Sequence, residues 1–209
     1  MLRVGVIGCG GMGRDHIRRL TEKIQGAEVV AVSDVFEESA RKAAEICGAK
    51  VYADSKELIN AENVDVVFIV SPGFAHVDSL LQAIEAGKRI FCEKPLCTTA
   101  EDCLKVVKAE EAAGKHLIQL GFMRRYDKGY QQIKEALATG EYGEPLILHC
   151  THRNPEVGTN YNTPMAVHDT AIHEIAVPSF CMLCQFNQST GCNRCCSGVF
   201  QLTIRRLSE

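Results

Sequence analysis

The sequence predicts an α/β protein, in which a doubly wound parallel sheet is followed by an incomplete α+β domain. Three observations support this fold class. Short apolar runs alternate with helical patterns of roughly 10 to 15 residues, which is typical of βαβ units. Glycine or proline follows several of the runs. The alternation ends near residue 121, and we therefore expect domains at 1–120 and 121–175, followed by an atypical tail at 176–209.

The apolar runs of the first domain predict five strands. These are residues 2–7, 29–33, 64–70, 90–92 and 116–120. Each run is short and mostly apolar, as expected for strands that are buried on both faces of a parallel sheet.

Four helices are predicted between these strands. The first follows a glycine-rich segment and places His16, Ile17, Leu20 and Ile24 on one face. The other three cover residues 37–47, 75–86 and about 98–113. Each of these three is followed by a glycine, which commonly ends a helix in the left-handed conformation. The last helix begins with a predicted capping box made by Thr98 and Glu101.

The regular alternation of predicted strands and helices does not continue in the second part of the chain. Residues 130–138 and 165–175 have helical patterns, and residues 145–151 alternate as in a strand of a different sheet. Residues 153–164 are rich in Asn, Pro and Gly and predict a loop. This part is expected to be a fragment of an α+β domain.

Composition narrows the class of protein. The formal charge of −3 offers no electrostatic argument for nucleic acid or an anionic membrane as a partner. No apolar run approaches the roughly 20 residues that a membrane span needs. The N-terminus enters a predicted strand directly, without a basic region or cleavage site, and this predicts a cytoplasmic protein.

A glycine-rich segment between the first strand and the first helix predicts a dinucleotide site. Gly8, Gly10 and Gly13 have the spacing of the dinucleotide-binding fingerprint, with Gly11 and Met12 between them. The helix N-terminus offers free N–H groups to a pyrophosphate. Asp34 ends the second strand, where a carboxylate binds ribose hydroxyls and repels a 2′-phosphate. NAD is therefore the expected cofactor, and a simple glycine-rich turn is the alternative.

Two further loops follow predicted strands at the same edge of the sheet. Ser71 and His76 belong to one loop, and Glu93 and Lys94 to the other, where Pro95 ends the strand. Ligands bind outside the carboxyl ends of strands in open α/β sheets, so these residues are predicted to contact the cofactor. A packing role for His76 and a solvated surface position for Lys94 are the alternatives.

Asp169 and His173 are four residues apart in a predicted helix, so they are expected to share one face. Histidine is the natural proton acceptor near neutral pH, and a neighbouring carboxylate can tune it. A solvated ion pair on a helix surface is the alternative.

These motifs together resemble the glucose–fructose oxidoreductase, inositol dehydrogenase and MocA family. The resemblance runs from Leu2 to about Ile175. It is carried by the glycine segment, Asp34, residues 93–95, residues 121–127, residues 152–155, residues 160–170 and His173. The fold implied by this resemblance is a Rossmann-type NAD domain followed by a substrate domain.

The resemblance also implies an activity and a role for each site residue. The activity is the NAD-dependent oxidation of a polyol hydroxyl, with myo-inositol as the expected substrate and without a metal. Lys94, Asp169 and His173 correspond to the catalytic group, in which His173 takes the hydroxyl proton. The corresponding substrate residues are Met123, Arg124, His152 and Asn154, together with Asp169 and His173. Full-length members are expected to be homo-tetramers.

The resemblance ends after Ile175. Residues 176–209 contain five of the eleven cysteines, no Lys, no Asp and one Glu, and Pro178 is expected to interrupt the helix. Three interpretations remain open for this tail: a metal knuckle built on Cys181, Cys184, Cys192 and Cys195, a native variant, or the product of a shifted reading frame or truncated gene. The corresponding alternatives for function are an inactive NAD-binding remnant and a dehydrogenase for a related inositol or sugar.

Overall fold

A computed structural model describes residues 1–143, 148–152, 154, 156–157, 159, 161–181, 186–187 and 191–192. The chain divides into two compact units, Met1–Gly121 and Phe122–Glu209.

The first unit is built on a six-stranded sheet. Its strands are β1 (Leu2–Ile7), β2 (Ala27–Ser33), β3 (Lys50–Tyr52), β4 (Val66–Ile69), β5 (Arg89–Cys92) and β6 (Ile118–Leu120). Their order across the sheet is β3-β2-β1-β4-β5-β6, and every pairing is parallel. The strand order reverses between β1 and β4, and ligands of open α/β sheets bind at such a switch point. The predicted fold class is confirmed.

Five helices connect these strands. They are α1 (Gly11–Glu22), α2 (Glu37–Cys47), α3 (Ser55–Asn60), α4 (His76–Glu85) and α5 (Ala100–Ala112), and a 3₁₀ turn at Gly73–Ala75 precedes α4. The glycine that follows α2, Gly48, has a φ of 72° and caps that helix in the left-handed conformation, as predicted.

Two apolar cores lie in the first unit because successive side chains of a strand point to opposite faces. Val4 and Val6 of β1 belong to the core that contains Ile17 and Leu20 of α1. The other core contains Ile7 and side chains of α3, α4 and α5. Burying an aliphatic side chain such as Ile17, which has no exposed surface, stabilises the fold by about 1.5–3 kcal/mol.

Two short elements were not predicted. The strand β3 has only three residues, and the helix α3 has six. Neither is long enough to show a clear hydrophobic period, so pairing with β2 and packing against the sheet decide their structure. Asp54 caps α3 by accepting a hydrogen bond from the Lys56 N–H group.

Two details of the predicted helices were wrong. The helix α1 ends at Glu22, so Ile24 lies beyond it and is 51% exposed. The predicted capping box is displaced by one residue: Thr99, rather than Thr98, caps α5 and accepts a hydrogen bond from the Asp102 N–H group at 3.1 Å. Either threonine can cap a helix, and the backbone turn selects between them.

The second unit is mainly helical in its described part. A 3₁₀ turn at Met123–Tyr126 precedes α6 (Lys128–Ala138). A short α7 (Thr163–Met165), a π-helical segment (Ala166–Ala171) and α8 (Ile172–Cys181) follow one another without interruption.

The predicted strand at 145–151 falls partly on residues 145–147, which lie outside the described residues; residues 148–151 are described and do not form a strand. Two strands of two residues each, β7 (Phe186–Asn187) and β8 (Gly191–Cys192), pair antiparallel.

Pro178 does not end the last helix, and the expected interruption was wrong. The helix α8 continues for three residues beyond it, to Cys181. Proline inside a helix removes one hydrogen bond and costs about 3 kcal/mol. Pro178 is buried, as are Val177 and Cys181 of the same helix, so apolar packing offsets part of that cost.

Candidate active site

The glycine loop between β1 and α1 is shaped by close contacts of its backbone. Gly8 has a φ of +95°, and a Cβ atom there would lie 2.4 Å from the Ser71 nitrogen. A Cβ atom on Gly13 would lie 2.0 Å from the Gly8 carbonyl oxygen. Cβ atoms at Gly10 and Gly11 would meet no atom within 4 Å. The loop is therefore packed tightly on its inner side and is open on the side that a ligand would approach.

The N-terminus of α1 faces this open space. Gly10 occupies the N-cap position and supplies no side-chain hydrogen bond to the first turn. The first N–H groups of the helix can therefore donate to a pyrophosphate, which the helix dipole also attracts. Met12, in the same turn, is 55% exposed.

Asp34 connects the glycine loop to the end of β2. Its Oδ2 atom accepts a hydrogen bond from the Cys9 N–H group at 2.6 Å, and its Oδ1 atom accepts one from the Phe36 N–H group at 2.8 Å. A carboxylate oxygen accepts more than one hydrogen bond, so both oxygens can still bind ribose hydroxyls. The next residue, Val35, and Phe36 are exposed and carry no charge that would hold a 2′-phosphate.

Ser71 follows β4 and lies directly beside the glycine loop. Its Oγ atom is buried and has no hydrogen-bond partner among the described residues. A buried hydroxyl normally has a partner, and its absence here marks a place where a ligand can supply one. The open glycine loop, the carboxylate of Asp34 and this hydroxyl together fit a bound NAD.

The structure favours the packing interpretation of His76. The ring has no exposed surface, and its nitrogens face main-chain carbonyl oxygens of two loops. The ring is enclosed by these loops, and a direct contact between this side chain and the cofactor stays a prediction.

Glu93 and Lys94 follow β5, as predicted. The His16 ring lies 2.8 Å from Glu93 through its Nε2 atom, and the Lys94 N–H group donates to Glu93 Oε2 at 3.2 Å. Burial by itself would raise the pKa of Glu93, but the His16 contact, together with Lys94, holds this pKa below its usual range. The rings of Phe68 and Phe91 pack edge-on against His16.

His16 was predicted only as one residue of a helix face, and its contact with Glu93 was missed. The two residues are 77 positions apart in the sequence, so no local pattern could connect them.

A buried carboxylate organises the second unit. Glu174 is 3% exposed; it forms an ion pair with Arg124 through Oε2, and its Oε1 atom lies 2.7 Å from His152 Nδ1. Burial raises the pKa of Glu174, but the hydrogen bonds from Arg124 and His152 outweigh burial and lower this pKa overall. Arg124 also lies over the Tyr130 ring, 5.3 Å from its centre. Two predicted substrate residues are therefore held by one carboxylate that was not predicted.

Hydrogen bonds extend this cluster to Asn154. Its Oδ1 atom lies 3.0 Å from His152 Nε2, and its amide group donates to Thr170 Oγ1 at 3.3 Å. The Tyr161 hydroxyl lies 2.7 Å from the same Thr170 oxygen. Sequence reasoning missed Thr170 and Tyr161 as members of the site, although both belong to the segments that carry the family resemblance.

Asp169 and His173 lie on the continuous helical segment of the second unit. Asp169 belongs to its π-helical part and His173 to α8, and their position on one face stays a prediction. Asp169 Oδ1 lies 3.1 Å from His168 Nδ1. His173 is buried, and its ring centre lies 6.5 Å from that of His152. Met123, at the start of the same unit, is 61% exposed.

Comparison with known protein families agrees with this geometry. Residues 2–122 match the family model described as "Oxidoreductase family, NAD-binding Rossmann fold", the Gfo/Idh/MocA family. The chain belongs to this family. The family assignment and the NAD-binding fold inferred from the sequence are therefore confirmed.

Curated members of the Gfo/Idh/MocA family are identical to this chain at about half of the aligned positions. Inositol 2-dehydrogenase/D-chiro-inositol 3-dehydrogenase of Shouchella clausii is 56% identical over 178 residues, which cover 84% of this chain and 51% of the relative. Inositol 2-dehydrogenase of Azotobacter vinelandii is 52% identical over 181 residues, covering 86% and 54%. The chain thus spans about half the length of the curated relatives it matches.

Solved structures of the family show the same fold. Myo-inositol dehydrogenase from Lactobacillus casei, in complex with NAD(H) and myo-inositol, superposes with a TM-score of 0.85 at 46% identity; the match covers 88% of this chain and 55% of that chain. A probable dehydrogenase from Thermotoga maritima superposes with a TM-score of 0.81 at 32% identity. The match covers 88% of this chain and 56% of that chain.

Two features are absent from the part of the chain that the structure describes. None of its helices combines the length and the apolar character needed to cross a bilayer. No cluster of three or more His, Cys, Asp or Glu side chains with a geometry suited to a metal occurs in these residues. Cys184 and Cys195, which the knuckle interpretation of the tail requires, lie outside the described residues.

Proposed function

We propose that this chain performs the NAD-dependent oxidation of a polyol hydroxyl, with myo-inositol converted to 2-keto-myo-inositol. The observation that carries this proposal is the 56% identity to a relative named inositol 2-dehydrogenase/D-chiro-inositol 3-dehydrogenase. The glycine loop, Asp34 and the Ser71 hydroxyl, which has no partner in the described part of the chain, support the cofactor half of the reaction.

The cofactor is proposed to bind along the carboxyl edge of the first unit. The N–H groups of the glycine loop and the first turn of α1 would hold its pyrophosphate, and Asp34 would hold the adenosine ribose. Ser71 Oγ, Glu93 and Lys94 would contact the remainder, since they follow the adjacent strands β4 and β5. When bound, NAD accepts a hydride from the carbon that is oxidised.

His173 is assigned the role of accepting the proton of the reacting hydroxyl. Oxidation of an alcohol to a ketone breaks one C–H and one O–H bond, so an acceptor for the O–H proton is required. In this proposal Lys94 holds the reacting oxygen, His173 accepts its proton, and Asp169 orients the polyol. Family resemblance supports these three roles.

Specificity for the polyol is assigned to a second set of residues. Arg124, His152 and Asn154 are joined through Glu174 and hydrogen bonds, which limits their side-chain freedom. Their remaining donors and acceptors suit a substrate with several hydroxyl groups, and exposed Met123 is proposed to form part of the same site. A related inositol or sugar would use the same groups.

The test is a titration of the full chain with NAD, followed by turnover with myo-inositol measured as NADH absorbance. We expect both binding and turnover, and lower activity with scyllo-inositol, D-chiro-inositol and glucose. Binding of NAD without turnover of any polyol would favour the NAD-binding remnant, and absence of NAD binding would contradict the proposal. Lys94→Met should abolish turnover, whereas Lys115→Met, at an exposed position, is the matched control.

A further inference from the structure

His76 occupies an unusual position between two loops of the cofactor edge. It is the first residue of α4, and its ring has no exposed surface. Its Nε2 atom lies 2.7 Å from the Ser71 carbonyl oxygen, in the loop after β4. Its Nδ1 atom lies 2.9 Å from the Pro95 carbonyl oxygen, in the loop after β5. Carbonyl oxygens only accept, so a ring with one N–H donates to one of these two oxygens and packs against the other, and only a ring with a proton on each nitrogen donates to both.

The two loops also pack closely against each other. A Cβ atom on Gly73 would lie 3.1 Å from the Pro95 Cγ atom and 3.3 Å from the Thr98 Cγ2 atom. A Cβ atom at position 73 would require these side chains of the second loop to shift by a few tenths of an ångström. The contact between the loops and the bridge through the His76 ring are separate observations of the same junction.

We propose that His76 is a positioning residue, which clamps the loop that carries Ser71 to the loop that carries Lys94. This inference rests on the proposed function, because both loops are assigned to the NAD site. The ring acts through main-chain carbonyls and touches no ligand itself. Its role is to keep the Ser71 hydroxyl and the Lys94 side chain at a constant spacing along the edge of the sheet.

Buried cysteines of the first unit provide a test that requires no substrate. Cys97 lies in the second loop and is 6% exposed, and burial raises the pKa of its thiol to about 12, so the closed loop should react slowly with an alkylating reagent. Cys9 lies in the glycine loop and has no exposed surface, because its side chain packs in the core around α1. Opening of the loops should expose Cys97 alone, whereas general unfolding should expose both.

The experiment compares alkylation rates of Cys97 and Cys9 by peptide mass spectrometry in the full chain and in His76→Leu. Loss of the clamp should raise the alkylation rate of Cys97 by about tenfold, which is the effect expected for one lost buried hydrogen bond. The alkylation rate of Cys9 should not change. A side chain that only fills space would be replaced by leucine without effect, so unchanged Cys97 protection would overturn the proposal.

Two conservative variants keep the test decisive if His76→Leu does not fold. The amide of His76→Gln can replace Nε2 towards Ser71, and the amide of His76→Asn can replace Nδ1 towards Pro95. Each should restore part of the protection of Cys97, with an NAD affinity between that of the wild type and that of His76→Leu. Rates equal to those of the wild type in both variants would contradict a two-loop clamp.

The NAD titration separates this inference from the proposed function. Weaker NAD binding in His76→Leu, with an unchanged Cys9 rate, would support positioning of the site. Faster Cys97 alkylation with unchanged NAD affinity would overturn that role. If the wild type binds no NAD, the proposed function fails, and the alkylation rates alone decide whether the clamp exists.

Discussion

Individual carboxylates that are buried or half-buried have a large influence within each unit. Asp34, Glu93 and Glu174 each accept hydrogen bonds from groups that are distant in sequence, and each lies among residues assigned to the site. The sequence pointed to Asp34 and Glu93 as site residues because both follow predicted strands. Glu174 was overlooked, because a glutamate within a helix is usually a solvated surface residue.

Replacing Glu174 by glutamine should destabilise the second unit. Glutamine keeps the size of the side chain but removes the charge that Arg124 and His152 share, so we expect a loss of about 2 kcal/mol in the free energy of unfolding. Urea denaturation measures this change. Glu135→Gln, at an exposed position of α6, is the matched control and should have little effect.

The same carboxylate predicts a dependence of stability on pH. The pKa of Glu174 is lower in the folded protein than in the unfolded chain, where it is about 4.3. The ionised carboxylate therefore contributes its full stabilisation above about pH 4.3, and this stabilisation is lost as the pH falls through the pKa of the folded state. The acid-induced loss of stability should therefore be smaller in Glu174→Gln than in the wild type. Equal pH profiles of the two proteins would contradict the role of this carboxylate.

Helices and strands owe their ends to specific residues, and the cap of α5 is one that can be tested. Thr99→Ala removes the side-chain acceptor of the Asp102 N–H group and should cost about 1 kcal/mol of stability. Thr98→Ala should cost much less, since Thr98 does not cap the helix. The reverse order, measured by thermal unfolding, would restore the capping box predicted from the sequence.

The junction of β1 and α1 should respond differently to alanine at two glycines. Gly13→Ala places a methyl group 2.0 Å from the Gly8 carbonyl oxygen, so we expect a loss of stability of about 2 kcal/mol or more. Gly10→Ala meets no protein atom, so stability should change little while NAD affinity falls. Urea denaturation and NAD titration measure the two effects separately, and a stable Gly13→Ala protein would contradict the packing argument.

For the whole molecule, binding of the cofactor should appear as added stability. A ligand at 100 times its dissociation constant stabilises the folded state by about 2.7 kcal/mol. NAD should therefore raise the melting temperature of the chain, and NADP should raise it much less, because the Asp34 carboxylate repels a 2′-phosphate. Equal shifts with the two cofactors would contradict the assigned role of Asp34, and Asp34→Asn should reduce the difference between them.

The sequence by itself determined the parallel sheet, its main helices and the glycine loop after β1. Those features depend on local patterns: apolar runs, glycines at turns, and residues that directly follow strands. The strands β1 and β5 and the glycine loop were predicted for this reason. Short elements such as β3 and α3 were missed, because they have too few residues to show a hydrophobic period. Their structure depends on contacts with neighbouring elements.

Only the tertiary structure decided which polar groups meet. It paired His16 with Glu93, joined Arg124 to His152 through Glu174, and enclosed His76 between two loops. It also made part of the helix predicted at 165–175, including Asp169, a π-helical segment. These contacts join residues that are far apart in the chain or depend on the exact path of the backbone. The free energy that stabilises them comes from burial and hydrogen bonding, which exist only after the chain has folded.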